Sequence, residues 1–178
     1  MQATVRPALA SDAATIVMLV RGLAEYENEP MSSVKITEAD VLRDGFGPER
    51  RFEALIAELD SRPVGFALYL YNYSTWEGRA GLFIEDLFVL PDARGHGLGR
   101  KLITAVAAIA AKRGCPRVDL NVLDWNPTRD FYHRLDITHM KDERQSWLPY
   151  RMRRPAIQAL AADVLAPGAD AGWLTLPE

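Results

Sequence analysis

The spacing of apolar residues changes several times along the chain, and each change marks an element. Thr4-Val5-Arg6 reads as a short strand stopped by Pro7. Behind Ser11-Asp12, which offers an N-cap, Ile16, Leu19, Val20 and Leu23 recur at helical spacing and predict a helix ending near Tyr26. Thr37-Glu38-Ala39-Asp40 predicts a second, short helix, with Thr37 as N-cap and Asp40 in the capping-box position, closing near Gly45-Phe46-Gly47-Pro48. The loop between these helices, residues 28–35, is placed to cover a site. From Phe52 the period becomes that of strands. Residues 54–58 and 64–71 flank the hairpin turn Asp60-Ser61-Arg62-Pro63, and a longer connection holding Tyr73 and Trp76 leads to an apolar strand that ends at Pro91. Leu98, Leu102, Ala105, Val106 and Ile109 then share one face of a helix that Gly114 terminates as a left-handed cap. Residues 117–123 alternate as a strand, with Val118, Leu120 and Val122 on one face. Asn126-Pro127, as N-cap and first helical residue, launches a helix through Phe131, Tyr132 and Leu135. Two apolar segments, 137–140 and 147–152, pair as a final hairpin, and Ile157, Leu160, Ala161 and Val164 form a brief amphipathic helix.

Residues 83–103 hold the densest chemistry. After the strand comes Arg94-Gly95-His96-Gly97-Leu98-Gly99, then the helix, so several free backbone N–H groups are presented at a helix N-terminus, as a phosphate cradle would need. The spacing fits neither a P-loop nor a G-x-G-x-x-G dinucleotide site, which leaves R-G-x-G-x-G. On these residues alone a glycine-rich turn without a ligand stays open. Just upstream, Glu85-Asp86 interrupts an apolar strand. Two adjacent carboxylates are costly there if buried without partners, and strict alternation would send them to opposite faces. They read either as edge acids paired with Arg or Lys, or as functional groups. Glu25, Glu27 and Glu29, with Tyr26, end the first long helix against its macrodipole, as a solvated acidic end or as a rim that attracts an amine. Phe131-Tyr132 by itself reads as an aromatic packing pair.

Composition narrows these choices. With 178 residues, 48% of them apolar, the chain suits one domain with a real core. A net charge of −3 argues against general nucleic-acid binding and favours a cationic substrate wherever acids line a pocket. Cys115 is the only cysteine, so no disulfide framework forms. The three histidines lack metal-ligand spacing and no metal is expected. No apolar run reaches the length of a membrane span and the N-terminus has no signal-peptide core, so the expected location is cytoplasmic.

The order strand, two helices, three antiparallel strands, helix, strand, helix, two strands resembles the GNAT N-acetyltransferase fold across about residues 3–153. The cradle after the fourth strand and Asn-Pro…Phe-Tyr after the fifth belong to that likeness. Within the superfamily, Leu23-Ala24-Glu25-Tyr26-Glu27, Asp44-Gly45-Phe46-Gly47, Val64-Gly65-Phe66-Ala67-Leu68-Tyr69 and Glu85-Asp86-Leu87-Phe88-Val89 resemble the diamine (spermidine/spermine) and thialysine N-acetyltransferases. The resemblance implies an α/β (α+β) fold with a mixed, mostly antiparallel sheet of about seven strands flanked by about four helices. The domain would span 1–154, with residues 155–178 a C-terminal extension.

It also implies acetyl-CoA as donor and direct transfer, in a ternary complex, to a primary amine of a small cationic acceptor. Glu85 takes the role of catalytic base and Tyr132 of general acid at the coenzyme sulfur. Tyr26, Glu27, Glu85 and Asp86 face the acceptor. Leu87, Phe88 and Val89 offer backbone groups, Arg94, Gly95, His96, Gly97, Leu98 and Gly99 hold the pyrophosphate, and Asn126 contacts the coenzyme, with His96 at a variable, solvent-facing position. Relatives are homodimers. Two departures stand out: relatives usually keep one more residue between this Asn and Tyr, and usually have Gly where Asp136 stands. Other acceptors compatible with the fold are a peptide or protein amine or an antibiotic, and a non-catalytic acyl-CoA-binding module is the reading from another class.

Overall fold

A five-stranded sheet in the order β1-β2-β3-β4-β5 carries the architecture seen in the computed structural model, which describes residues 2–139 and 151–165. The strands are β1 (Ala3–Pro7), β2 (Glu53–Leu59), β3 (Arg62–Ser74), β4 (Arg79–Val89) and β5 (Val118–Leu120). The first three pairings are antiparallel and β4–β5 is parallel. About seven strands were expected. The two not seen belong to the final hairpin, which falls mostly on residues outside those described. The helices are α1 (Ala13–Tyr26), α2 (Glu38–Val41), α3 (Leu98–Lys112), α4 (Arg129–His133) and α5 (Arg154–Leu165). The chain divides into two compact units, Met1–Trp125 and Asn126–Glu178. Among the described residues no helix is long and apolar enough to cross a membrane.

In the first unit the helices sandwich the sheet. Ile16, Val17 and Leu19 of α1 and Val41 of α2 pack on Ala54, Ile56, Phe66, Leu68 and Phe88 of one sheet face. Side chains of this kind stabilise by roughly 1.5–3 kcal/mol each when fully buried. On α3 the buried stripe is Leu98, Leu102, Ile103, Val106 and Ala110, rotated slightly from the expected face because Ile103 and Ala110 turn inward in place of Ala105 and Ile109.

Local signals mostly hold. Thr37 accepts from the Asp40 N–H at 3.2 Å and Asp40 reaches back to the Thr37 N–H at 3.0 Å, a capping box, before α2 runs into a π-helical turn at Leu42–Phe46. Asp60 and Ser61 both take positive φ, 49° and 64°, and make the tight two-residue turn that matches strand twist. Asp12 is a correction. It flanks α1 without capping it, because its carboxylate accepts instead from the Leu9 N–H at 2.7 Å and from two nitrogens of Arg6 at 2.7 and 2.9 Å. β5 is shorter than residues 117–123, since it pairs only with Leu82, Phe83 and Ile84 of β4.

Candidate functional site

That short pairing ends where β4 breaks its own register. Leu68 pairs with Asp86 and Tyr69 with Ile84, so Glu85 is an extra residue, a β-bulge. Paired residues share a face, hence Asp86 joins Leu68 on the face covered by α1, while Ile84 joins Tyr69 on the other. Strict alternation, which would divide Glu85 from Asp86, is therefore interrupted here. Beyond Ile84 the β5-facing edge of β4 has no strand partner among the described residues. This leaves Leu87, Phe88 and Val89 without a strand on that edge, although the Phe88 side chain itself is core and the Val89 carbonyl accepts from the Arg94 side chain.

Three carboxylates interact at this point. Asp86 is mostly buried, and burial pushes its pKa up to about 6, with further contributions from Glu85 and from Glu27. Glu27, the residue that ends α1, is itself held above the usual carboxylate range by burial and by Glu29. Glu85 is exposed. The fold thus gathers two acids of one strand with one from a helix end, and leaves a strongly negative spot that a cation would relieve.

How α1 comes so close to β4 is legible in Gly22. A Cβ there would stand 3.0 Å from the Phe88 ring, so only a bare backbone fits without displacing that ring. Four residues on, Tyr26 meets Phe88 at 6.3 Å and Trp125 at 6.5 Å between ring centroids. Trp125 was not singled out from sequence. Its only signal is an aromatic residue at the exit from β5, directly before Asn126-Pro127.

The glycine loop takes the shape a cradle needs. Gly95 and Gly97 have φ of +84° and +75°, which side chains rarely adopt, and nothing lies near either Cα to explain glycine by space. Gly97 is the N-cap of α3 and no side chain caps that helix, so the first-turn N–H groups at Leu98, Gly99 and Arg100 face outward as an anion site. His96 departs from its expected solvent-facing place. It is half-buried, and its Nδ1 lies 3.3 Å from the Ala93 carbonyl and 3.1 Å from that of Arg94. Two acceptors require this nitrogen to carry the proton, which makes the ring a brace of the loop. Arg94 donates through Nε to the Val89 carbonyl at 3.1 Å and lies over the Tyr26 ring at 4.4 Å.

The second unit carries the other two candidates. Asn126 makes the contacts of the expected cap: its Oδ1 accepts from the Thr128 N–H at 3.0 Å and the Thr128 hydroxyl at 2.8 Å, its carbonyl accepts from the Arg129 N–H at 3.2 Å, and Pro127 opens the turn that leads into α4. Tyr132 is buried on α4 with its ring edge-on to Phe131 at 5.2 Å, and its carbonyl accepts from the N–H groups of Leu135 and Ile137. Asp136 has φ of +59°. It therefore occupies a left-handed position, the reason a glycine suits that place.

Within the first unit, then, Tyr26, Glu27, Glu85, Asp86, the 87–89 backbone and the 94–99 loop lie on adjoining elements. Among the described residues no group of three or more His, Cys, Asp or Glu side chains is arranged to hold a metal ion. The geometry offers an anion cradle, an open strand edge and a carboxylate cluster in sequence, which suits a ligand with a phosphate at one end and a cation meeting it at the other.

Comparison with known proteins places the chain in a family. Residues 20–137 match the Acetyltransferase (GNAT) family. The chain is 39% identical over 166 residues to a thialysine N-epsilon-acetyltransferase of Bos taurus, covering 88% of this chain and 96% of the relative. It is 30% identical to a spermidine/spermine N(1)-acetyltransferase-like protein 1 of Homo sapiens, covering 88% of this chain and 23% of that longer protein. Among solved structures, an integron cassette protein from V. cholerae superposes with a TM-score of 0.71 at 22% identity, over 90% of this chain and 98% of its own.

Proposed function

This chain belongs to the GNAT acetyltransferase family and is an N-acetyltransferase, and from that premise we propose that it acetylates a primary amine of a small cationic acceptor, of the thialysine or polyamine kind. The observation that carries the reading is the meeting of Glu27, Glu85 and Asp86 beside the bulge of β4. The acceptors named for the relatives support it.

Acetyl-CoA is the proposed donor and supplies the acetyl group as an activated thioester. The residues present fit it: the uncapped N-terminus of α3 and the left-handed glycines suit a diphosphate, and the open edge of β4 suits an extended amide-bearing arm. Asp86 and Glu27 hold the charge of the acceptor. An incoming ammonium ion favours the ionised form of Asp86, so acceptor binding strengthens as pH rises through about 6. Glu85, exposed at the bulge, takes the proton that the amine must lose before its lone pair can attack, directly or through water. Tyr132 is assigned the proton that the departing sulfur needs. The expected homodimer and the division into a 1–154 domain with a 155–178 extension stay part of this proposal.

Free-thiol release from acetyl-CoA with thialysine, spermidine and a lysine-containing peptide tests it. Diamine-type acceptors should turn over faster than the peptide, and Glu85→Gln should slow release most at lower pH, where more of the amine is protonated. A preference for the peptide would move the acceptor to protein amines. Tight coenzyme binding without turnover on any amine would leave a silent acyl-CoA-binding module.

A further inference from the structure

Arg94 belongs to the coenzyme loop by sequence and to the acceptor end by contact. Its Nε donates to the Val89 carbonyl at 3.1 Å, at the end of β4. Its guanidinium carbon lies 4.4 Å from the Tyr26 ring centroid and 5.8 Å from that of Phe88. A guanidinium stacks through its face and donates in its plane at the same time, so its Nη groups can meet an anion without giving up the stack. Tyr26 closes α1, and its ring also meets that of Trp125 at 6.5 Å between centroids. The next residue is Glu27, whose N–H is bonded to the Leu23 carbonyl at 2.9 Å, so the order of the last turn sets where the Glu27 carboxylate stands.

We propose that Arg94 is a positioning residue that couples the two substrate sites: a diphosphate held at the 94–99 loop fixes the Arg94–Tyr26 stack, and the stack fixes the end of α1 and the Glu27 carboxylate at the acceptor. No rearrangement is required, because what the first ligand removes is the freedom of the exposed Arg94 side chain that the second would otherwise have to restrict. By reciprocity a cationic amine tightens coenzyme binding by the same factor. The inference rests on the acceptor reading above.

Calorimetry with coenzyme A and 1,5-diaminopentane tests it on the full chain. The wild type should bind the diamine at least about fivefold more tightly when saturated with coenzyme A, the lower end of ordinary coupling. The factor should fall to about one in Arg94→Gln and in Tyr26→Leu, and persist in Tyr26→Phe, which keeps the ring. Amide exchange over residues 22–29 should slow on adding coenzyme A alone to the wild type, but not to Arg94→Gln. A factor of one in the wild type overturns the coupling. So does an unchanged factor in Arg94→Gln, even where that variant binds coenzyme A more weakly. If the diamine binds in neither state, the acceptor reading fails instead, and the exchange measurement still decides the coupling: no coenzyme-dependent protection refutes it.

Discussion

Replacing Asp86 by Asn should make the free protein more stable and a poorer enzyme. The folded-state pKa of Asp86 is about 6 against an ordinary 3.8, with burial as the main cause, Glu85 on the same strand adding to it and Glu27 from α1 adding further. A carboxyl whose folded pKa is raised binds its proton more tightly when folded, so its contribution is favourable at low pH and is lost as pH rises through 6. At one pH step per 1.36 kcal/mol, ionising Asp86 costs the fold about 3 kcal/mol by pH 8, roughly half of that at pH 5, and well under 1 kcal/mol at pH 4. The amide keeps the shape without the charge. Urea unfolding of wild type and Asp86→Asn at pH 5 and 8 reads the difference directly. The variant should be the more stable by about 2–3 kcal/mol at pH 8, with an advantage about 1.4 kcal/mol smaller at pH 5. Its KM for a diamine should rise while its affinity for coenzyme A stays near that of the wild type. An Asp86→Asn protein less stable than wild type at pH 8, or an advantage that does not change with pH, would refute the reasoning.

Tyr132→Phe should lower kcat by about 10²-fold with coenzyme affinity within about twofold, if its hydroxyl serves the departing sulfur; steady-state kinetics with direct coenzyme titration separate the two effects, and an unchanged kcat would remove Tyr132 from the reaction. Asp136→Gly should stabilise by about 0.5–1 kcal/mol, because φ of +59° is strained for a side chain and free for glycine; thermal unfolding reads it, and a loss of stability would show that the Asp136 side chain is worth more than the strain. Arg6→Met should destabilise by about 2–3 kcal/mol at neutral pH by stranding the buried Asp12 carboxylate, which its Arg6 hydrogen bonds hold below the ordinary carboxylate range. The Arg6–Asp12 contribution is full above the ordinary carboxylate pKa and fades as pH falls, so the gap between wild type and variant should narrow in acid.

The order of elements was legible because each carries a local signal. Thr37 with Asp40, Asp60 with Ser61, and Gly97 before Leu98 are capping, turn and left-handed positions that neighbouring residues decide. Asp12 misled: it was read as a cap of the helix that follows, and its side chain accepts instead from Arg6 and the Leu9 N–H. Asn126 was legible because only its neighbours decide it, its side chain accepting from the Thr128 N–H two residues on. The bulge at Glu85 was not legible at all. It exists only as a slip between β3 and β4, fifteen or more residues apart, and no property of Ile84-Glu85-Asp86 announces it. Yet it stands where the β5 pairing stops and sends Asp86 to the α1 face. The Arg94–Tyr26–Trp125 stack is equally non-local, joining three separate elements.

The central claim is that carboxylates at the bulge select a cationic acceptor. Its most direct measure is the ratio of kcat/KM for 1,5-diaminopentane to that for pentylamine, which has the same reacting amine and lacks the distal charge. The ratio should be at least about tenfold, the worth of one charge-assisted contact of roughly 1.4 kcal/mol, and should collapse toward one in the double variant Glu27→Gln, Asp86→Asn. Equal kcat/KM for the two amines in the wild type would contradict the account.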